Sequence, residues 1–238
     1  MSFNEITFNK ENLYIYLREL AKEFRKLNGK VMPAEIILIG GAAVLANYGF
    51  RDMTYDMDAI IIASSFMKDA INRVGDKFNL PNGWLNTDFM KTKSYSPRLI
   101  EYSVPYKTFS NILSVRTISA EYLVAMKLMA GRPYKNDFSD IIGILMQHKE
   151  NENVLTLEQI KIAVEKLYEK WTQLPKTSIE FIEQIMQKEN YVEVYEKMKG
   201  QEAENKIVLR NFETNYPGVL SENNLNDVLK KAKEKLNR

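Results

Sequence analysis

The chain has 238 residues, 45% hydrophobic and 27% charged, which is a globular composition long enough for one large domain or two modest ones. It contains no cysteine and one histidine, His148, so disulfides, zinc-thiolate sites, a cysteine nucleophile and multi-histidine metal sites are excluded. Any chemistry must fall to carboxylates, Lys and Arg, and the formal net charge of +2 does not by itself demand a nucleic-acid partner. There is no signal-peptide pattern and no apolar run of ~18 residues to span a bilayer, so no membrane association is expected and the cytoplasm is the expected compartment.

The N-terminal segment NKENLYIYLRELAKEFRKLNGK places Leu13, Tyr16, Leu17, Leu20, Ala21 and Phe24 on one helical stripe that ends near Asn28-Gly29. Ile36–Ile39 is a short apolar run closed by glycine, the pattern of a buried strand, and AAVLANYGF then fits a two-turn helix stopped by Gly49. Asp58–Ile62 is expected to be the second strand and Phe66–Phe78 a helix, with Leu80-Pro-Asn-Gly as a loop. Strand composition returns at Pro97–Tyr106 and Ile112–Thr117, and Pro105 marks an edge or a strand end because it has no amide to donate.

Ser119 stands at an N-cap position before EYLVAMKLMAG, a helix expected to stop at Gly131. After the loop RPYKN, the segment DFSDIIGILMQH reads as a helix with Phe138, Ile141, Ile142 and Leu145 on its apolar face. From about Glu150 the character changes to amphipathic helices with Lys/Glu outer faces, at Thr156–Trp171, Ser178–Met186, Tyr191–Met198 and Leu225–Leu236. Two units are expected on that basis: an α/β core over 1–150, with a mixed sheet flanked by helices, and a helical C-terminal domain or extension over 151–238.

The most informative stretch is IILIGGAAVLANYGFRDMTYDMDAIII, in which an apolar strand runs into Gly40-Gly41 and a short helix leads to Asp56 and Asp58. Alternation along an extended chain points Asp56 and Asp58 the same way and Met57 the other, so both carboxylates can reach one ion. Paired hard oxygen ligands suit Mg²⁺ or Mn²⁺, which take one or two carboxylates together with phosphate and water oxygens. Gly40-Gly41 can serve as a tight turn alone, or its amides and the following helix N-terminus can cradle phosphates. It is neither a Walker A loop nor a dinucleotide fingerprint, since Gly-Lys-Ser/Thr and GxGxxG are both missing.

Further along, Lys127 has Leu123, Val124, Ala130 and Gly131 as helical neighbours, an apolar setting in which its stem can snorkel or its ammonium can enter a site. Asp137 and Asp140 lie at a helix start, where the macrodipole favours carboxylates without any catalytic reason. Trp84-Leu85-Asn86 reads as a packing element, and the terminal run KKAKEKLNR as a solvated helix end.

In this order, Gly40, Gly41, Arg51, Thr54, Asp56 and Asp58, then Trp84-Leu85-Asn86, then the segment from Glu121 to Ile141, resemble the nucleotidyltransferase superfamily. Within it the chain looks most like the bacterial AbiEii-type toxin nucleotidyltransferases and their relatives. The resemblance covers residues 36–145 and implies a nucleotidyltransferase fold that moves an NMP group from an NTP to an acceptor hydroxyl, RNA or tRNA among the candidates. It implies metal ligation by Asp56 and Asp58, and nucleotide binding by Gly40, Gly41, Arg51, Thr54 and Lys127. Lys127, Asp137 and Asp140 would join the two metal ligands as catalytic residues, and a toxin would have an antitoxin partner. Many members supply a third carboxylate from a later strand; Glu101 and Asp88 are the candidates here, and neither sits in the matching context. The alternative is a non-catalytic nucleotide-binding or protein-interaction protein that keeps the fold.

Overall fold

The computed structural model describes residues 6–29, 32–221 and 224–236. Lys30, the end of the first expected helical segment, and Asn237-Arg238, the end of the terminal run, lie outside the described residues.

Helix α1 (Lys10–Asn28) starts at a reciprocal cap: the Asn9 side chain accepts from the Asn12 amide and the Asn12 side chain accepts from the Asn9 amide. Strand β1 (Ala34–Leu38) runs straight into α2 (Gly40–Asn47), and β2 (Ala59–Ile62) returns antiparallel to β1, with Ile36 opposite Ile61. After α3 (Phe66–Phe78), β3 (Ser103–Phe109) and β4 (Leu113–Ile118) form a hairpin, and β4 lies parallel to β1. The sheet order is β2-β1-β4-β3, mixed and flanked by helices, the α/β architecture expected from the sequence.

The remaining helices are α4 (Ala120–Ala130), α5 (Asp137–Glu150), α6 (Leu157–Tyr168), α7 (Lys176–Ile185), α8 (Tyr191–Asn215) and α9 (Leu225–Leu236). α1 packs on α3, α6 on α4 and α8 on α5, and one hydrophobic cluster runs from Phe8 through Ile36, Leu123 and Ile141 to Tyr195. Among the described residues no helix is long and apolar enough to cross a membrane.

Several elements depart from expectation, among them the helix expected over Thr156–Trp171, which ends at Tyr168 and is followed by a separate 3₁₀ turn over Trp171–Gln173. The second strand begins at Ala59, one residue late, with Asp58 held instead in an isolated bridge to Asn86. Pro97–Ile100 is a 3₁₀ turn and the strand starts only at Ser103, because proline's fixed φ opens a helical turn as readily as it ends a strand. Ser119 occupies the N-cap position of α4, yet its hydroxyl donates to the Glu121 carboxylate and caps no amide. Finally, α8 continues past Met198 to Asn215, since its buried stripe of Tyr195, Glu202, Asn205 and Leu209 keeps helical spacing while mixing polar with apolar residues. Pro105 does lie in an edge strand, beside a register shift between Pro105 and Lys107.

Trp84 fixes the loop that carries Asn86. It is 3% exposed, stacks with Phe8, meets Tyr16 edge-on, and donates from Nε1 to the Ile71 carbonyl at 3.0 Å. Truncation to Trp84→Ala is expected to cost about 3–5 kcal/mol by chemical denaturation, and Trp84→Phe only about 1–2 kcal/mol, because the ring stays and one hydrogen bond goes.

Candidate active site

Gly40 and Gly41 open α2, and the first amides of a helix have no intrahelical acceptor. Ile39, at the N-cap, has no polar side chain to satisfy them, so they face the adjoining cleft as donors. The two glycines serve different needs. Gly40 has φ +54°, which a side chain rarely adopts, and a Cβ there would meet open space. At Gly41 a Cβ would fall 2.5 Å from Thr54 Oγ1 and 3.0 Å from Arg51 Nη2, so this glycine is required by the protein's own packing.

Arg51 and Thr54 lock that corner. Arg51 donates from Nε to the Met53 carbonyl at 2.9 Å and pairs through Nη1 with Asp140. The Thr54 hydroxyl donates to the Asp56 carbonyl at 3.3 Å, while its backbone pairs with Phe8. Beyond it the alternation expected from the sequence holds: Asp56 is exposed, Met57 is fully buried and Asp58 is partly buried on the cleft side. The Asp58 carbonyl accepts from the Ile39 amide at 2.9 Å, which ties the end of β1 to the carboxylate pair.

Burial and the neighbouring Asp56 charge push the Asp58 carboxyl up to about 6, with Arg132 and Lys135 opposing them. A divalent cation between the two carboxylates would remove that repulsion, so the donor set fits Mg²⁺ or Mn²⁺ that draws its other ligands from phosphates and water. Among the described residues no group of three or more His, Cys, Asp or Glu is placed to hold a metal. Asp88 lines the cleft but is ion-paired with Lys91 at 2.8 Å, and Glu101 is exposed after the 3₁₀ turn and does not line the cleft. Neither completes a three-carboxylate set.

Across the cleft, α4 and α5 meet through a buried ionic cluster. Lys127 is 5% exposed and its ammonium lies 3.2 Å from Asp137 and 2.7 Å from Asp140. Arg132, just past the α4 C-terminus, adds contacts to Asp137 at 2.8 and 3.2 Å. Burial alone would raise Asp137, but the Lys127 and Arg132 charges outweigh it and hold the carboxyl at about 2. The Lys127 stem therefore does not snorkel to solvent. Its charge stays inside, with two aspartates as counter-ions.

Gly40, Gly41, Arg51, Thr54, Asp56, Asp58, Lys127, Asp137 and Asp140 all line this one cleft, of about 630 Å³. Sequence reasoning missed Arg132, Lys135, Glu202 and Lys206. Lys135 reaches to 3.8 Å from Asp56, and Arg132 was legible only as the arginine within the Glu121–Ile141 segment that carries the resemblance, with no role given to it. Glu202, on α8, accepts from the Phe138 amide at 2.9 Å and from the Ser139 hydroxyl at 2.5 Å, capping the helix that carries Asp137 and Asp140. Burial pushes this carboxyl up to about 8 against the hydrogen bonds from Ser139 and Phe138, and Asp140 and Asp137 add to the rise. No pattern around Glu202 distinguishes it from the solvated glutamates beside it.

A family model described as a nucleotidyltransferase of unknown function (DUF6036) matches residues 16–195, more than half of the chain. No curated protein and no solved structure matches.

Two outcomes follow from this electrostatic arrangement. Lys127→Met leaves two buried carboxylates short of a cation and is expected to destabilise the fold by about 3 kcal/mol in denaturant titration, whatever its effect on activity. For Glu202, the folded carboxyl titrates at about 8 against 4.5 unfolded, so its contribution to stability is full below 4.5 and is lost as pH rises through about 8. Thermal melts of Glu202→Gln and the parent chain should therefore diverge from pH 5 to pH 9 in favour of the variant; parallel profiles would contradict the assignment.

Proposed function

The chain belongs to the DUF6036 family of nucleotidyltransferases of unknown function, and from that premise we propose that it moves an NMP group from an NTP to an acceptor hydroxyl, with loss of the hydroxyl proton, cleavage of the α–β phosphoanhydride bond and release of pyrophosphate, and with Mg²⁺ or Mn²⁺ held by Asp56 and Asp58. The observation that carries this reading is the convergence on one cleft of an uncapped helix N-terminus, the aspartate pair and the Lys127 cluster. When bound, the metal would neutralise charge on the α-phosphoryl group and help to activate the acceptor hydroxyl.

The chain's own residues do the rest. The amides at Gly40 and Gly41 receive triphosphate oxygens, and the free face above Gly40 lets them approach. Lys127 has three N–H donors, two of them directed at Asp137 and Asp140, which leaves one for a phosphate oxygen as negative charge develops. Asp137, held at about 2, is a poor proton acceptor, and Asp140 is paired with both Arg51 and Lys127, so the two carboxylates serve to orient Lys127. Arg51 and Thr54 shape the phosphate corner by filling the space over Gly41.

The resemblance to AbiEii-type toxins extends the proposal to an RNA or tRNA hydroxyl as acceptor and to a role in a toxin–antitoxin or phage-defence system with an antitoxin partner. A non-catalytic nucleotide-binding protein is the rival reading. It draws on one observation, that the described residues hold two suitably placed carboxylates and no group of three.

Incubation of the purified chain with each α-phosphate-labelled NTP, Mg²⁺ and total cellular RNA tests both. Label transfer is expected from the parent chain, and a loss of about 100-fold or more from each of Asp56→Ala and Asp58→Ala with unchanged circular dichroism. Binding of NTP without transfer by the parent would favour the rival, and full activity in both variants would remove the metal assignment.

A further inference from the structure

The helix that runs on past the end of the matched family segment reaches back into the cleft. α8 (Tyr191–Asn215) crosses three of the segments that build the site, and each crossing is pinned by a polar contact. The Tyr195 hydroxyl donates to the Phe50 carbonyl at 3.1 Å, next to Arg51. Glu202 caps the start of α5, and Asn205 Nδ2 donates to the Pro133 carbonyl at 2.6 Å, in the loop between Arg132 and Lys135. Glu202 is 3% exposed and Asn205 6%, so both contacts are buried anchors rather than surface decoration.

Lys206 follows Asn205 directly and lies one turn beyond Glu202, so these anchors set its position. It lines the cleft with its ammonium 4.5 Å from the centre of the Tyr55 ring, and Tyr55 immediately precedes Asp56. The other cations that line the cleft have carboxylate partners: Arg51 with Asp140, Lys91 with Asp88, Lys127 with Asp137 and Asp140, Arg132 with Asp137, and Lys135 with Asp56. Among the described residues Lys206 is the cleft-lining cation without one. A ring face supports a cation but does not cancel its charge.

We propose that α8 is a working wall of the nucleotide cleft: Lys206 binds the anionic phosphates of the NTP, and Glu202 and Asn205 are positioning residues that hold it there. The proposal rests on the nucleotidyltransferase reading above and adds to it a binding residue beyond residue 195, where the family match ends. The chemistry is a charge-assisted contact from a rim lysine to a phosphate oxygen, on the side of the cleft where Asp56 stands. Glu202 acts through α5 and α8 together, since one carboxylate ties the start of the helix bearing Asp137 and Asp140 to the helix bearing Lys206.

Titration calorimetry of the full chain with each of the four NTPs and Mg²⁺, at two salt concentrations, tests it. Lys206→Met keeps the stem over Tyr55 and deletes the charge; it should weaken binding of the preferred NTP about tenfold and flatten the salt dependence, with an unchanged melting temperature. Lys206→Arg should restore affinity. Glu202→Gln retains an acceptor for the Phe138 amide and should bind like the parent, whereas Glu202→Ala should lose affinity. The double variant Glu202→Ala/Lys206→Met should lose less than the sum of the two single losses, because part of the Glu202→Ala loss runs through Lys206 and only the rest through α5. Affinity in Lys206→Met within twofold of the parent overturns the proposal, as do additive losses in the double variant. A parent chain that binds no NTP overturns the nucleotidyltransferase reading along with it, so the two failures are told apart by the parent titration.

Discussion

Everything around the cleft depends on keeping the Lys127 charge inside the protein. An ammonium at the interior end of an apolar helix is tolerable only with counter-ions at hydrogen-bond distance, and Asp137 and Asp140 supply them from the first turn of α5. Those carboxylates in turn bring Arg132 and Arg51 to the same place. Through Arg51 the cluster reaches the loop after α2, where Arg51 and Thr54 close over Gly41, and the Thr54 hydroxyl holds the Asp56 carbonyl. The buried ion pair of Lys127 is thereby linked by a few contacts to the aspartate pair, Asp56 and Asp58, across the cleft. A weak point anywhere in this series would leave a buried charge unpaired, and the fold would resist it cooperatively.

Much of the cleft was legible because its local chemistry repeats known constraints. Gly40-Gly41 after a run of Ile and Leu, followed by two aspartates in alternation with Met57, states a turn and a two-faced segment in residue types alone. Lys127 stood out through its apolar neighbours, although not through its partners: whether it snorkels or enters a site depends on α5, and intrahelical spacing carries no information about that. The N-cap position of Ser119 was legible, whereas the choice of Glu121 as its acceptor was not, since two local partners compete for one hydroxyl. The edge position of β3 followed from Pro105, but the start of that strand did not, because Pro97 suits a helical turn equally well.

Glu202 and Lys206 were invisible for a different reason. Both sit in a helix whose sequence alternates Lys and Glu without a continuous apolar stripe, so each resembles the solvated residues beside it. Only the packing of α8 on α5 separates them. A carboxylate that caps a helix more than sixty positions away leaves no trace in spacing or composition. Long-range polar contacts of this kind are seldom recoverable from one sequence, and here they tie the C-terminal helices to the chemistry of the N-terminal half.

The outer strand β3 bears on how the sheet meets other molecules. Pro105 offers no donor, and the ladder shifts register between Pro105 and Lys107, so the hydrogen-bonding rim on that side is broken near its middle. A foreign strand that tried to extend the sheet there would find neither an unbroken row of donors nor a flat surface, and it would have to desolvate Lys107 as well. The opposite rim, β2, is only four residues long, Ala59–Ile62, and it starts directly after the carboxylate pair. Growth of this sheet into a larger, multi-chain one is thus obstructed at one margin by a missing amide and given little purchase at the other.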